Sequence, residues 1–473
     1  MTSSHPSHHG IPLSDPPEGW GPLLRLARLA REPVDRFLQI EAASGIVLLL
    51  AAGVALAWAN SPWAASYFHL WGTPLGFRVG SATFERPLSW FVNDGLMVIF
   101  FFVAGLEIRR ETHDGELSAW RRAALPAAAA LGGMVAPALL YLAIASAPAL
   151  RPGWGVPMAT DFAFALGVLA LLGRRVPPAL RVLLLALAVI DNLGAIVIIA
   201  LFYSSGIAWT GLLFAAIGLG VLFAMRFIGV RRKLLYVAPS VVVWAGVYAA
   251  GVHPTVAGVA IGLLTPARAW LGPEGFARSV RGELDRVSRA GDHPLARREL
   301  AEALGHIDAA CREAMSPASN LIETLHPWVA FGIMPVFALA NAGISLRGAS
   351  LDRGTTTAAA GAAVGLVVGK PVGVLLASAL ALRVGVATLP RGLSARHLVV
   401  LGVVAGIGFT MSLFIAQLAF VDPTTLSAVK AGVLAASAIS TLLGLLLGLA
   451  LLCKGEHAGA AQTADEAERS TVL

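Results

Sequence analysis

Cysteine is almost missing from this chain of 473 residues: there are two, Cys311 in a polar stretch and Cys453 at the end of the last apolar run. Neither belongs to a C-x-x-C pair or a Cys/His cluster, which leaves disulfide frameworks and zinc sites without support. Charge is scarce as well. Only 13% of residues are charged against 57% hydrophobic, and the mean hydropathy is +0.74. Soluble globular chains carry about a quarter charged residues, so that class is excluded. There is no H-E-x-x-H run, and a membrane-embedded hydrolase is left without its chemistry. The first 36 residues are polar, Pro-rich and without a signal peptide's short apolar core, so no cleavage is expected. The net charge of +7 invites a nucleic-acid reading. The basic residues, however, are scattered through loops between apolar runs, a pattern of membrane orientation rather than of nucleic-acid binding.

What is abundant is apolar sequence. A helical crossing needs about 20 mostly apolar residues, and about twelve such runs are expected: 37–60, 87–108, 123–146, 156–173, 179–204, 208–228, 234–251, a short 253–266, then 327–346, 356–382, 397–420 and 425–452. The expected fold is an all-α membrane protein whose transmembrane domain covers 37–452 and meets the lipid bilayer. Of the 35 Lys and Arg residues, 28 fall in the odd-numbered loops, counting the N-terminal segment as the first, and 6 on the opposite side. Such asymmetry puts the basic side, and both tails (1–36 and 453–473), in the cytoplasm. The tails are polar and without periodicity, and the loosely spaced His5, His8 and His9 are expected to be solvated rather than metal-bound. The long cytoplasmic loop, about 267–325, suggests one or two amphipathic helices between Glu283 and Arg312 and reads as a solvated connector.

The one remaining basic residue, Lys370, lies deep inside the tenth span, and three acids share its predicament: Asp94 in the second, Asp161 in the fourth and Asp191 in the fifth. A charge at mid-bilayer costs roughly 3 kcal/mol even on the lenient insertion scale, and such residues mark ion or proton paths. A helix-locating ion pair is the bland alternative. Glu107, with Arg109, Arg110 and Glu111, is expected at a cytoplasmic span end, where snorkelling competes with function.

The fourth span opens with Gly155-Val-Pro-Met-Ala-Thr-Asp161, and the eleventh holds Gly402 and Ala405-Gly-Ile-Gly-Phe-Thr410. Pro removes a backbone donor and Gly loosens the helix, so both spans are expected to be interrupted. Interrupted spans at corresponding places of inverted repeats point to a transporter's binding site, and spans 3–5 and 10–12 would be those repeats. In such a crossing Asp161 and Lys370 suit the task of offsetting helix-end dipoles. Gly361, Gly365 and Gly369 recur every four residues as a close-packing stripe. Asp and Thr oxygens suit hard cations, and a carboxylate in a low-dielectric pocket can hold either a proton or a cation near neutral pH. Asp191, however, is followed by the neutral Asn192.

At these residues the chain resembles the bacterial NhaA sodium/proton antiporters. The matching stretches are Ala159-Thr-Asp-Phe-Ala-Phe-Ala-Leu-Gly-Val-Leu-Ala-Leu-Leu-Gly173, Ala188-Val-Ile-Asp-Asn-Leu-Gly-Ala-Ile196, Gly369-Lys-Pro371, Asn93-Asp-Gly95, Gly105-Leu-Glu107, His326-Pro-Trp-Val329, Phe337-Ala-Leu-Ala-Asn-Ala-Gly343 and Gly406-Ile-Gly-Phe-Thr-Met-Ser412. The resemblance covers about 37–452. It implies a secondary transporter of the bacterial inner membrane, not an enzyme, that exchanges Na⁺ or Li⁺ for H⁺ without a cofactor; a homodimer stays open. It also implies that Asp161 and Thr160 lie at the crossing, that Asp191, Asn192 and Asp161 form the ion site, and that Lys370 compensates their charge. Glu107, Arg110 and Glu111 would line a cytoplasmic funnel where a pH response begins. His253 and His326 match positions near span ends, where capping or packing competes with sensing. One departure stands out: Asn192 replaces the family's second aspartate, and an amide offers an oxygen but no proton. Three readings stand side by side: a member with altered coupling, an impaired or retasked one, and an engineered form.

Overall fold

The computed structural model describes residues 41–79, 82–113, 115–204, 206, 208–230, 233–269, 271–290, 296–345 and 352–452. Both tails, with His5, His8, His9 and Cys453, lie outside these residues. In hydrocarbon no solvent satisfies backbone polar groups, so apolar runs of this length close their hydrogen bonds internally as helices. The described chain is accordingly almost all helix. In chain order the elements are α1 (Glu41–Ala59), α2 (Ala64–Gly72), a hairpin β1 (Pro74–Val79) and β2 (Ala82–Pro87), α3 (Leu88–His113), α4 (Trp120–Ile144), a 3₁₀ segment Arg151–Met158 leading to α5 (Phe162–Leu171), and α6 (Pro178–Phe202). There follow α7 (Trp209–Ile228), α8 (Val237–Ala249), α9 (Thr255–Leu264), α10 (Pro273–Ala290), α11 (Ala296–Ala314), α12 (Pro317–Asn341), α13 (Arg353–Arg383), α14 (Ala395–Ala405), α15 (Phe409–Ala419) and α16 (Pro423–Leu451).

Eight helices among the described residues are long and apolar enough to cross a membrane, and two bent pairs raise that to ten. The bent pairs are α1 with α2, at 113°, and α14 with α15, at 45°. α9 and the apolar stretch Leu234–Ala249 are shorter. The interruptions expected in the fourth and eleventh spans are both present, at Ala159–Asp161 and Gly406–Gly408. Large apolar side chains such as Leu213, Phe214 and Ile217 of α7 point outward, fully consistent with a lipid-facing surface.

Several boundaries differ from the sequence expectation. The ninth span begins at Pro317 rather than 327, because Ser319, Asn320, Glu323 and Thr324 make its first turns polar without stopping the helix. His326 is therefore well inside α12, not at a span end, and the long loop shrinks. Within that loop α10 and α11 are the expected amphipathic helices. The second span continues to His113 instead of ending near 108. Glu107 is consequently buried, with 6% of its surface exposed, and does not snorkel. The hairpin after α2 was not anticipated. Nor were the π-helical turns Phe91–Leu96 in α3, Val329–Ile333 in α12 and Gly365–Gly369 in α13.

The close-packing stripe is real. α13 lies against α4 and the 3₁₀ segment. A Cβ built on Gly365 would come within 2.7 Å of Pro157, and one on Gly369 within 2.8 Å of Pro137. The stripe continues to Gly373, whose missing side chain faces the Gly132 carbonyl while Gly132 faces that of Gly373. Two backbones in reciprocal contact leave nothing flexible to give way, so overpacking there should cost about 2 kcal/mol. Gly373→Val is expected to lower the thermal unfolding midpoint of the detergent-purified protein. Gly220→Ala, at a glycine with open space around it, should leave the midpoint unchanged or slightly raised. Equal midpoints for both variants would show that α4 and α13 do not meet this way.

Candidate functional site

Where the two interrupted spans cross, four helix ends meet. The carbonyl ends are those of the 3₁₀ segment, at Met158, and of α14, at Ala405; the amide ends are those of α5 and α15. The crossing is pinned by a backbone bond from Asp161 N to the Ile407 carbonyl at 2.8 Å. Asp161 serves both amide ends. Its Oδ1 accepts from Phe164 N at 3.1 Å, its Oδ2 accepts from Thr410 N at 3.2 Å, and the Thr410 hydroxyl donates to Oδ2 as well. One carboxylate thus caps two helices, where their partial positive charge favours an anion. The adjoining Phe409 N donates to Ser437 Oγ at 3.0 Å, and Ser412 Oγ donates to the Val156 carbonyl at 2.7 Å.

The carbonyl ends are served by Lys370 and Thr160. Lys370 is fully buried, and its position at the end of the π-helical turn Gly365–Gly369 aims the side chain across the crossing. Its Nζ donates to the Met158 carbonyl and stands 2.6 Å from Asp191 Oδ2. Thr160 Oγ1 lies 2.7 Å from the same Asp191 oxygen and 2.9 Å from the Ala405 carbonyl. A hydroxyl has one proton to give. With Asp191 ionised it can donate to the carboxylate; with Asp191 protonated it can accept and donate to Ala405 instead. The cluster can therefore accommodate a change of protonation without leaving a donor stranded.

Two acceptor oxygens at the site have no hydrogen-bond partner although they are buried: Asp191 Oδ1 and Asn192 Oδ1. Orphaned oxygens on adjacent residues are costly in a helix interior, and a hard monovalent cation is the sort of group that would satisfy them. Asn192 also lines a narrow crevice with Ala104, Glu107, Ile108, Phe162, Leu185 and Val189. Glu107 and Phe162 link it to a second crevice, reached by His326 and Met334, with room for about one water molecule. The residues at the crossing are shut off in this conformation; Asp161, Asp191 and Lys370 are all at most 1% exposed.

The residues singled out in the sequence thus fall into three groups. Thr160, Asp161, Asp191 and Lys370 converge at the crossing, while Asn192, next to Asp191 on α6, also lines the crevice that holds Glu107. Asp94, in the π-helical turn of α3, is separate: its Oδ1 lies 3.2 Å from His253 Nε2. His253 Nδ1 meets the Thr255 hydroxyl at the start of α9, and its ring packs edge-on against Phe414. Arg110 and Glu111 form a looser contact of 3.6 Å toward the end of α3. Sequence reasoning gave no role to Thr410, Ser437 or Ser412, although hydroxyls facing inward from apolar helices were a usable signal. It also missed a polar tie of three helices, in which Asn341 Nδ2 donates to Asn93 Oδ1 at 2.8 Å and Gln417 donates to Asn341.

Removing one member of a buried ion pair strands the other charge, at about 3–5 kcal/mol. Lys370→Ala is expected to lower the unfolding midpoint markedly, and adding Asp191→Ala should recover part of that loss because no unmatched charge remains. Thermal unfolding of both variants checks this; a double variant no better than the single would deny the pairing.

The chain matches the model of a family described as Na⁺/H⁺ antiporter 1 over residues 35–447. It is 64% identical over 458 residues to the Na(+)/H(+) antiporter NhaA 2 of Myxococcus xanthus, covering 97% of each chain. It is 54% identical to the protein of that name from Sorangium cellulosum, over 96% of this chain and 98% of the other. Against the Pseudomonas putida KT2440 protein of the same name identity is 51%, over 90% of this chain and 94% of the relative. The chain belongs to the Na⁺/H⁺ antiporter 1 family.

Proposed function

We propose that this protein is a secondary antiporter that exchanges Na⁺, or Li⁺, for protons across the bacterial inner membrane, by alternating access around the crossing. The observation that carries the reading is the unpartnered Asp191 Oδ1 and Asn192 Oδ1 beside the buried Asp191–Lys370 pair. Those oxygens, with Thr160 and Asp161 close by, form the cation site in this reading, and Lys370 keeps it near neutrality while no cation is bound. Asp161 acts chiefly on the helix ends, where both its oxygens already have partners. The shut crossing corresponds to an occluded state, with the crevices beside Glu107 and His326 as the start of a cytoplasmic route. Glu107, Arg110, Glu111 and His326 line that route and make flux respond to pH. His253 joins that response through Asp94.

In the same reading the chain crosses the membrane twelve times. Eight long helices, the bent pair α14–α15, α1, and the two short helices α8 and α9 supply that number, and both termini then lie in the cytoplasm with the basic loops. The paired interruptions support inverted repeats of spans 3–5 and 10–12.

Proteoliposomes loaded with a pH-sensitive dye test the activity. A Na⁺ pulse should shift the internal pH of vesicles containing the parent protein, and Asn192→Asp should change the Na⁺ concentration for half-maximal response by about tenfold, roughly 1.4 kcal/mol of binding free energy. A flat trace for folded parent protein between mildly acidic and alkaline pH, with activity only in Asn192→Asp, would establish the chain as a non-transporting relative.

A further inference from the structure

Away from the crossing, ion exchange gives no task to the helical hairpin of α10 and α11. Its helices run antiparallel. Leu271 N, just before α10, donates to the Glu313 carbonyl near the end of α11 at 2.9 Å, and Glu283 meets His306 at 3.1 Å. The base is tied to the bundle where Arg268 donates to His113 and Ala318 N donates to the Pro266 carbonyl. Ala303 and Ala310, seven residues apart on α11, are buried and mark the seam with α10.

An α-helix turns about 100° per residue. Glu283, Arg286 and His306 gather on one side of the seam, where Glu283 pairs with Arg286 as well. Leu284 of α10 and Leu300 and Leu304 of α11 turn to the other side together, because antiparallel neighbours wind in opposite senses about a shared seam. These leucines are 57%, 44% and 56% exposed. A stripe of this kind belongs to helices that face a core, and a layer of two helices has no third element to cover it.

The charges of the hairpin suit a copy of itself. α10 carries four arginines and three acids, α11 three arginines and four acids, so one helix is net positive, the other net negative, and the hairpin neutral. Anionic lipid headgroups reward basic segments, and a neutral hairpin gains little from them. Glu283 and His306 stand level, so Arg281 and Asp308, each two residues nearer the base, are level too. Both are exposed, at opposite outer edges of the leucine side. When a second hairpin is laid on that side about a two-fold axis parallel to the helices, α10 of each copy covers α11 of the other. Leu284 then meets Leu304, and Arg281 of each copy meets Asp308 of the other. Eighteen residues of α10 span about 27 Å, and two helices side by side about 20 Å. The contact would hide roughly 1,000 Å² over both copies, the lower limit for a specific interface. Confinement to one bilayer raises the effective concentration that so small an interface needs.

We propose that the leucine side of the α10–α11 hairpin docks the same hairpin of a second copy, the two forming an antiparallel four-helix bundle outside the membrane. The two-fold axis of a membrane dimer runs along the bilayer normal, so the paired hairpins stand out from the surface on their bases.

The test uses the full-length protein in proteoliposomes. Cys453→Ser leaves Cys311 as the one thiol; it is exposed and lies seven residues after Leu304, on the same stripe. In the bundle the two Cys311 sulfurs are roughly 10 Å apart, one helix spacing, and a bifunctional maleimide of that reach should join them. Leu304→Glu should lower the cross-linked fraction at least about tenfold. Arg281→Asp and Asp308→Arg each set like charges against one another at both symmetric contacts, and each should lower it about fivefold. Mixed in one liposome under different tags, these two variants regain opposite charges at both contacts, and their mixed dimer should form to within about twofold of the parent. Arg281, Leu304 and Asp308 are all exposed, so the variants should keep the parent's unfolding midpoint. A parent that does not cross-link, or Leu304→Glu equal to the parent, overturns the proposal. So does a mixture no better than either charge variant alone; if Leu304→Glu then still detaches the hairpin from vesicles, the leucines belong to lipid instead.

Discussion

Everything at the centre of this protein depends on how opposed helix ends are neutralised away from water. Two interrupted spans bring two amide ends and two carbonyl ends to one place, and each end carries about half an elementary charge. In solvent those ends would be hydrated; here they are sealed, and the side chains must do the work of water. Asp161 answers the amide ends of α5 and α15, Lys370 answers the carbonyl of Met158, and Thr160 answers that of Ala405. The helix ends themselves call for an anion and a cation, Asp161 and Lys370, and Asp191 is a further carboxylate that pairs with Lys370. That requirement explains why residues expensive to insert sit in otherwise apolar helices.

The packing around the crossing follows from the same demand. For Lys370 to reach both Met158 and Asp191, α13 must lie against the 3₁₀ segment and α4, and the glycine stripe from Gly361 to Gly373 allows it. The π-helical turn before Lys370 inserts an extra residue and turns the side chain toward the crossing; such turns are common at functional sites. A continuous α-helix with larger residues would hold the two spans farther apart and leave the helix ends uncompensated.

Much of this was legible in the sequence because charge and interruption are loud signals in an apolar chain. Asp161, Asp191 and Lys370 stood out by their insertion cost, and Pro157 and the Gly406–Gly408 run announced the breaks. The amphipathic pair α10 and α11 could be read from its polarity. Three things were not legible. The burial of Glu107 depends on α3 running to His113, and Arg109, Arg110 and Glu111 at its end mimic a snorkelling terminus. The start of α12 at Pro317 is masked by the polar residues of its first turns, of which Glu323 and Thr324 are exposed. The π-helical turns and the β-hairpin leave no mark in hydropathy, since they change backbone geometry without changing composition.

Asn192 shows why position in a fold outweighs identity at a single site. Read along the chain, an amide in place of an acid looks like a lost function. Read in space, it is one oxygen in a wall whose opposite side holds Glu107, while the partner charge of Asp191 is already supplied by Lys370. Two carboxylates on one helix turn would repel each other in a low-dielectric pocket. A neutral Asn192 leaves α6 with one buried carboxylate at this turn, Asp191, which is paired with Lys370 across the crossing.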